Sequence, residues 1–309
     1  MVKKIKYYKN FNISKKDKHS ILLIGNFDGL HLGHQKLFNL AKIYKKKYKL
    51  KIGVVTFEPM PKMYFDKNLK NFRISNLQQK NKILQNLDID FVITKKFDIK
   101  FSKIKSNDFI KNILYKKLNA KYIFVSNNFR FGNRREGDVK QLIESEKEFD
   151  FKIVKPKPLV LKGKTISSTL IRKLLIKGNL DRANKLLKRN WCIEGIVEKG
   201  RQQGKKIGFQ TCNIDIKDYV IAMPGVYAVR VYQKTKNLYL KGIANLGYRP
   251  TFNQKKILLE VHIFNFSGNL YNKHLSVEFV KFIRKEKKFK NVNQLRNQIK
   301  SDLKVARQS

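Results

Sequence analysis

The sequence predicts an α/β chain in two parts, a parallel sheet wound with helices and then an antiparallel barrel or sandwich that ends in a helix. Three observations carry this. Up to about residue 150, short apolar runs alternate with stretches of helical spacing, the pattern of strand–helix–strand units. From Trp191 onward strand-like runs follow one another with turn residues between them, which suits antiparallel pairing. Between the two regions Lys155-Pro156-Lys157-Pro158 marks a loop.

Taken in order, Ile21-Leu22-Leu23-Ile24 reads as a buried strand and Gln35 to Lys46 as a helix. Ile52 to Phe57 reads as a second strand, and Leu77 to Leu87 has helical spacing. Phe91 to Thr94 is a third strand, Phe109 to Leu118 a helix and Tyr122 to Val125 a fourth strand. Ile171 to Ile176 and Leu180 to Leu187 read as short helices separated by Gly178. In the second part, Val226 to Val231, Tyr239 to Asn245, Leu258 to Phe264 and Leu275 to Ile283 read as strands. An amphipathic helix from Asn291 to Ala306 closes the chain. The boundary is expected near residues 186–191, giving domains 1–188 and 189–309, and no internal repeat is visible.

At 309 residues and 42% hydrophobic composition, each part can bury a core. No stretch in the first thirty residues reads as a secretory signal, and the apolar runs are far too short to span a membrane. A cytoplasmic location is therefore expected, with no membrane partner. The two cysteines, Cys192 and Cys212, form neither a CxxC pair nor a Cys/His cluster, which argues against a zinc site or a disulfide framework. The formal charge of +46 raises nucleic acid as a partner. However, 56 of the 69 basic residues are Lys, spread along the whole chain among many Asn and Ile. Groove readers concentrate Arg on one element. Nucleic-acid binding is thus not expected, and the positive field is read as compositional drift that also attracts anionic substrates.

The first chemical constellation follows the first strand: Gly25-Asn26-Phe27-Asp28-Gly29-Leu30-His31-Leu32-Gly33-His34. A strand ends, the backbone turns at Gly25 and Gly29, and a helix begins whose unpaired N–H groups and positive dipole end suit phosphate. Gly33 allows close approach of a nucleotide. His31 and His34 supply hydrogen bonds to phosphate oxygens as charge shifts in a transition state. Further on, Ser167, Ser168 and Thr169 suit the cap of the next helix and form a second cradle, with Arg172 one turn in as a bidentate phosphate clamp.

These segments resemble, in order, the G-x-F-D-G-x-H-x-G-H and I-S-S-T-x-I-R motifs of bacterial bifunctional riboflavin kinase/FAD synthetases. Thr56-Phe57-Glu58-Pro59-Met60-Pro61 resembles the family's T-F-x-P-x-P loop, and Val125 to Gly132 its V-G-x-[DN]-F-x-F-G segment, with Ser126 in place of the usual Gly. The similarity runs from about Ile21 to Phe289. It implies a Rossmann-like nucleotidyltransferase domain followed by a β-barrel riboflavin kinase domain with a C-terminal helix. It further implies that ATP phosphorylates riboflavin to FMN, and that a second ATP adenylates FMN to FAD with release of pyrophosphate. Gly25, Phe27, Asp28, Gly29, Gly33, Asn128, Ser167, Ser168 and Thr169 are then nucleotide- and flavin-binding residues, and His31, His34 and Arg172 catalytic ones.

The second constellation resembles the kinase pattern G-x-x-x-G-x-x-[LI]-G-F-P-T-A-N. Gly200, Gly204 and Gly208 supply a loop able to cover phosphates, and the implied ligands of Mg²⁺ and ATP phosphate fall on Thr211 and Asn213. Gln210 replaces the usual Pro and Cys212 the usual Ala. Pro224-Gly225-Val226-Tyr227, Asn245-Leu246-Gly247-Tyr248-Arg249-Pro250-Thr251-Phe252 and Glu260-Val261-His262-Ile263 match further stretches, while Asn272 departs from a usual Gly. Glu260 alternates with Leu259 and Val261 on a strand, so its side chain leaves by the opposite face. The resemblance makes it the general base on the ribityl hydroxyl. A single-function adenylyltransferase would leave Thr211, Asn213 and Glu260 without a role.

Overall fold

The computed structural model describes residues 5–198, 211–233, 237–250 and 255–309. Gly200, Gly204, Gly208 and Gln210 lie outside the described residues. The chain divides into two compact units. One comprises Met1–Leu69 with Leu77–Ile166, the other Lys70–Asn76 with Ser167–Ser309.

The first unit is built on a six-stranded parallel sheet. Its strands are β1 (Lys6–Tyr8), β2 (Ile21–Ile24), β3 (Ile52–Glu58), β4 (Phe91–Lys96), β5 (Tyr122–Phe124) and β6 (Lys152–Val154), in the spatial order β1-β4-β3-β2-β5-β6. All residues of β2 are buried, as expected of a strand covered on both faces. Alternate residues feed two cores. Ile21, Leu23, Val54 and Phe124 meet Leu37, Phe38 and Ala41 of helix α1 (Leu32–Tyr48). Leu22, Ile24, Val55 and Ile123 meet Phe109, Ile110, Ile113 and Leu114 of a π-helix over Phe109–Lys117. Helix α2 (Leu77–Gln85) contributes Leu84 to the α1 side. The chain winds from β2 toward β3 in one direction, and β5 lies on its other side. The order therefore reverses between β2 and β5, and ligands bind outside the carboxyl ends of strands at such a switch point.

The second unit is a closed antiparallel barrel. Its strands are β7 (Trp191–Glu198), β8 (Cys212–Asp215), β9 (Gly225–Gln233), β10 (Leu238–Pro250), β11 (Lys255–Ile263) and β12 (His274–Lys285), in the order β7-β8-β11-β10-β9-β12. Trp191 and Tyr227 pack on Phe279 with ring centroids 4.7 and 5.0 Å apart. The helices α3 (Ser168–Ile176) and α4 (Leu180–Leu187) belong to this unit. Asn184 of α4 donates to the carbonyl of Phe279 at 2.9 Å and accepts from the Trp191 amide at 2.8 Å, closing a strand end.

The last helix, α5 (Val292–Gln308), starts at Asn291, whose side chain accepts from Gln294 N at 2.9 Å. Its Ala306 and Leu303 cover Ala228, Ile243 and Phe264. The same helix is clipped to β12 by charge: Arg284 Nε donates to both Asp302 oxygens at 3.0 and 2.9 Å, and Asp302 is buried. Removing one partner strands the other in a desolvated position. Asp302→Ala is therefore expected to destabilise the barrel unit by about 3 kcal/mol, seen as a lowered melting temperature in a thermal scan. An unchanged melting temperature would show that the clip contributes nothing.

Candidate active sites

β2 hands over to α1 through Gly25–His31. The amide of Gly25 is tied to the Val55 carbonyl at 3.0 Å, so the turn starts anchored on β3. Phe27, Gly29 and Leu30 all have positive φ, at 49°, 79° and 42°. Only Gly29 takes that conformation without strain. Phe27 and Leu30 are held in it by burial, their side chains packed in the core beneath α1. Gly25 has no positive φ. A Cβ there would stand 3.2 Å from the Phe27 ring, so glycine at 25 makes room for that ring. Asp28 is buried within the same turn.

His31 is the N-cap residue of α1, and its side chain makes no capping hydrogen bond. The first amides of α1 thus keep their anion-binding capacity. The two imidazoles stack, centroids 3.8 Å apart and planes at 20°. Phe27 meets His34 edge-on at 5.3 Å. A Cβ on Gly33 would lie 3.0 Å from the Ile166 carbonyl and 3.2 Å from the His31 ring, which explains the glycine between the histidines. Nδ1 of His34 is buried with no hydrogen-bond partner among the described residues. Burial first, and the adjacent His31 second, hold the His34 imidazole well below its usual range.

A lysine that sequence reasoning passed over lies beneath this turn. Lys80 of α2 is buried, donating to Thr56 Oγ1 at 2.9 Å and to the Asn26 carbonyl at 3.3 Å. One ammonium thereby joins the Gly25–His34 segment to the Thr56–Pro61 segment. The available signal was its spacing: 77, 80 and 84 share a helix face, and a charge stands among leucines there.

At the carboxyl end of β5, Asn127, Asn128, Phe129, Arg130, Arg135 and Lys155 help to line a cavity of about 810 Å³. Neither imidazole is among its lining residues. Ser126, at the position of the expected Gly, donates its hydroxyl to Asn128 Oδ1 at 2.9 Å and so orients that amide.

Ser167, Ser168, Thr169 and Arg172 belong to the second unit. Ser167 caps α3, its hydroxyl accepting from Leu170 N at 3.2 Å. Ser168 and Thr169 open the first turn. Arg172 Nε donates to the Phe72 carbonyl at 2.7 Å, and its guanidinium carbon lies 3.6 Å from the centre of the Phe72 ring.

In the barrel, the register sets Asn213 of β8 opposite Glu260 of β11, and Glu260 opposite Asn245 of β10. Directly opposed residues share a face. This row is polar, whereas the next row, Cys212, Val261 and Ala244, is buried and apolar. Thr211 precedes the strand by one residue and shares the parity of Asn213. Oδ1 of Asn213 is buried without a hydrogen-bond partner among the described residues, a neutral oxygen donor of the kind hard cations take. Burial pushes the Cys212 thiol up to about 11, so the cysteine at the family's alanine position behaves as a small apolar side chain.

Comparison with known proteins finds two family models along the chain. A family model described as FAD synthetase matches residues 13–170, and one described as riboflavin kinase matches residues 187–309. A bifunctional riboflavin kinase/FMN adenylyltransferase of Buchnera aphidicola subsp. Schizaphis graminum is 39% identical over 300 residues, covering 96% of each chain. Its Escherichia coli K12 counterpart is 36% identical over 93% of this chain and 92% of its own. A crystal structure named as a macrolide-efflux protein from Streptococcus pneumoniae aligns over 99% of both chains, with a TM-score of 0.85 and 28% identity. Among the described residues no helix is long and apolar enough to cross a membrane.

The depressed basicity of His34 carries a sign. In the folded chain the ring stays neutral where a free imidazole, with its midpoint at 6.5, is half protonated. Unfolding lets it bind a proton, so its neutral burial stabilises the fold above pH 6.5, and that contribution is lost progressively as the pH falls below it. In NMR titration of the ligand-free protein His34 should have a midpoint below 6.5, and His34→Gln should flatten the acid limb of the stability–pH curve. A midpoint at or above 6.5 would contradict this environment.

Proposed function

The chain belongs to the family of bifunctional riboflavin kinase/FMN adenylyltransferases, and from that premise we propose which residues carry each step and which ion they use. The enzyme phosphorylates riboflavin to FMN with ATP and adenylates FMN to FAD with a second ATP. We assign adenylyl transfer to residues 1–188 and phosphorylation to 189–309. The two family matches, ending at 170 and starting at 187, support that division.

In adenylyl transfer a phosphate oxygen of FMN attacks the α-phosphorus of ATP, the bond to the β-phosphate breaks, and pyrophosphate leaves. No covalent enzyme intermediate is needed, so position and charge stabilisation do the work. The opening amides of α1, with Gly25, Phe27, Asp28, Gly29 and Gly33 shaping the turn, take phosphate oxygens. His31 and His34 donate to oxygens that gain charge in the transition state. Ser167, Ser168 and Thr169 cradle ATP phosphate and Arg172 grips it bidentately. Asn128 holds flavin or nucleotide. The uncapped helix start beside stacked imidazoles supports this reading.

For the kinase step, Glu260 takes the proton of the ribityl hydroxyl as its oxygen attacks the γ-phosphorus, and ADP leaves. The cross-strand pairing of Glu260 with Asn213 supports it, because it puts a carboxylate beside the oxygen donor. Thr211 and Asn213 would hold Mg²⁺, and the orphaned Asn213 oxygen fits that ion. When bound, Mg²⁺ supplies neutralisation of phosphate charge. We infer a cytoplasmic enzyme whose excess of lysine draws anionic substrates toward it.

The test is to incubate the protein with riboflavin and ATP, with and without Mg²⁺, and to separate riboflavin, FMN and FAD over time. Glu260→Ala should cut FMN formation by about 10²–10⁴-fold while FAD still forms from supplied FMN. His31→Ala should cut FAD formation from FMN by about 10²-fold or more and spare FMN formation. Equal loss of both activities in either variant would refute two separate sites.

A further inference from the structure

Among the described residues Lys80 is the only lysine that is buried. Taking an ammonium out of water is costly unless polar partners replace the water. Two of its partners tie together segments far apart in sequence. Nζ donates to Oγ1 of fully buried Thr56 at 2.9 Å and to the Asn26 carbonyl at 3.3 Å. The Thr56 hydroxyl in turn reaches the same carbonyl at 3.5 Å, so three polar atoms close a triangle. All of it lies in the first compact unit. Thr56 belongs to β3, which β2 and β4 hold in the sheet. Lys80 therefore holds the Asn26 carbonyl against a fixed strand.

The carbonyl of Asn26 and the amide of Phe27 form one rigid plane. Its orientation is set by ψ of Asn26 and φ of Phe27. Phe27 has a φ of 49°, a conformation that is strained for a side chain of its size. Turning the plane over would bring that φ back to negative values and relieve the strain. The same rotation would carry the Asn26 carbonyl away from the ammonium. The bond to Lys80 and the positive φ of Phe27 are thus two sides of one constraint. The peptide is trans, so its N–H points opposite to its carbonyl. With the carbonyl held on Lys80, the Phe27 N–H is directed away from the ammonium.

We propose that Lys80 is a positioning residue for adenylyl transfer: by holding the Asn26 carbonyl it keeps the Gly25–His31 turn in the strained form that shapes the phosphate site at the start of α1. This rests on the assignment of that turn to adenylyl transfer. Lys80 acts through the Asn26–Phe27 peptide and not on a reacting atom.

The test uses the whole chain. Lys80→Met keeps most of the side chain and removes the ammonium, and Thr56→Val keeps the shape and removes the hydroxyl. In NMR of the ligand-free protein, Phe27 of the parent should show the strong intraresidue HN–Hα contact that positive φ produces, and Lys80→Met should lose it. In the conversion of supplied FMN to FAD, Lys80→Met should raise KM for ATP by about tenfold, the effect of one lost hydrogen bond to a charged group. An unfolded fraction would lower kcat and leave KM alone. Thr56→Val should raise KM less, and should have no further effect on a Lys80→Met background, because the two act as a unit. KM for ATP in FMN formation, measured on the same samples, should be unchanged throughout. Absence of the Phe27 signature from the parent, its persistence in Lys80→Met, an unchanged KM in FAD formation, an equal rise in both activities, or additive effects in the double variant would each overturn the positioning role. If Lys80→Met does not fold, Thr56→Val decides alone by the same criteria. Full FAD formation in His31→Ala would remove the assignment of the turn, and the inference with it. Loss in His31→Ala beside unaltered FAD formation in Lys80→Met would overturn the inference and leave that assignment standing.

Discussion

Parallel pairing of β2 with β3 on one side and β5 on the other is the constraint on which the first unit depends. A strand in that position is covered on both faces, and it tolerates only apolar side chains. The chemistry must then come from the segments beyond the strand ends. The carboxyl end of β2 delivers Gly25–His31 to the switch point, and the carboxyl end of β5 delivers Asn127 and Asn128 next to it. Two segments more than ninety residues apart become neighbours because Leu23 pairs with Phe124. The turn is strained at Phe27 and Leu30, and only a well-packed sheet and helix beneath it can hold residues of that size at positive φ.

The barrel solves the same problem by alternation rather than by strand ends. Each strand puts one set of side chains inward and the next outward, so a polar row can be laid across three strands without disturbing the core. Asn213, Glu260 and Asn245 are such a row. The inward neighbours Cys212, Val261 and Ala244 show why the cysteine at 212 is tolerated: it occupies the apolar side of the strand, away from the polar face. The register does the positioning, and a slip of one residue would turn Glu260 into the core.

Most of this was legible in the sequence where burial is complete. The strand Ile21–Ile24 and the helix Leu180–Leu187 match their apolar patterns end to end. Helix α1 starts at Leu32, three residues before its predicted start. Gly33 and His34 precede the predicted start at Gln35, yet they form the first helical turn because His31 is the extended cap. β1 and β6 escaped notice because each is three residues long with little apolar pattern, and pairing with β4 and β5 makes them strands. β7 and β8 lack a long apolar run, and closure of the barrel organises them. At the sites, motif residues could be named from spacing, but not the groups behind them. Lys80 looked like one more lysine among 56, and Phe72 lay in a segment with no periodicity. Both make their contacts with segments distant in sequence, which local pattern does not encode.

The stacked imidazoles limit how much charge the turn before α1 can carry. Rings 3.8 Å apart cannot both carry a proton at modest cost, since like charges at that distance repel strongly in a desolvated setting. The neutral state of His34 is thus a consequence of the pairing as well as of burial. A neutral imidazole still donates one hydrogen bond, but it brings no net charge to an incoming polyphosphate. The start of α1 offers its dipole, and the Lys80 ammonium lies under the same turn, bonded to the carbonyl of Asn26. The helix start and Lys80 thus set donor groups at the turn, while the stacked rings, His34 among them held neutral by burial, offer directed hydrogen bonds rather than charge.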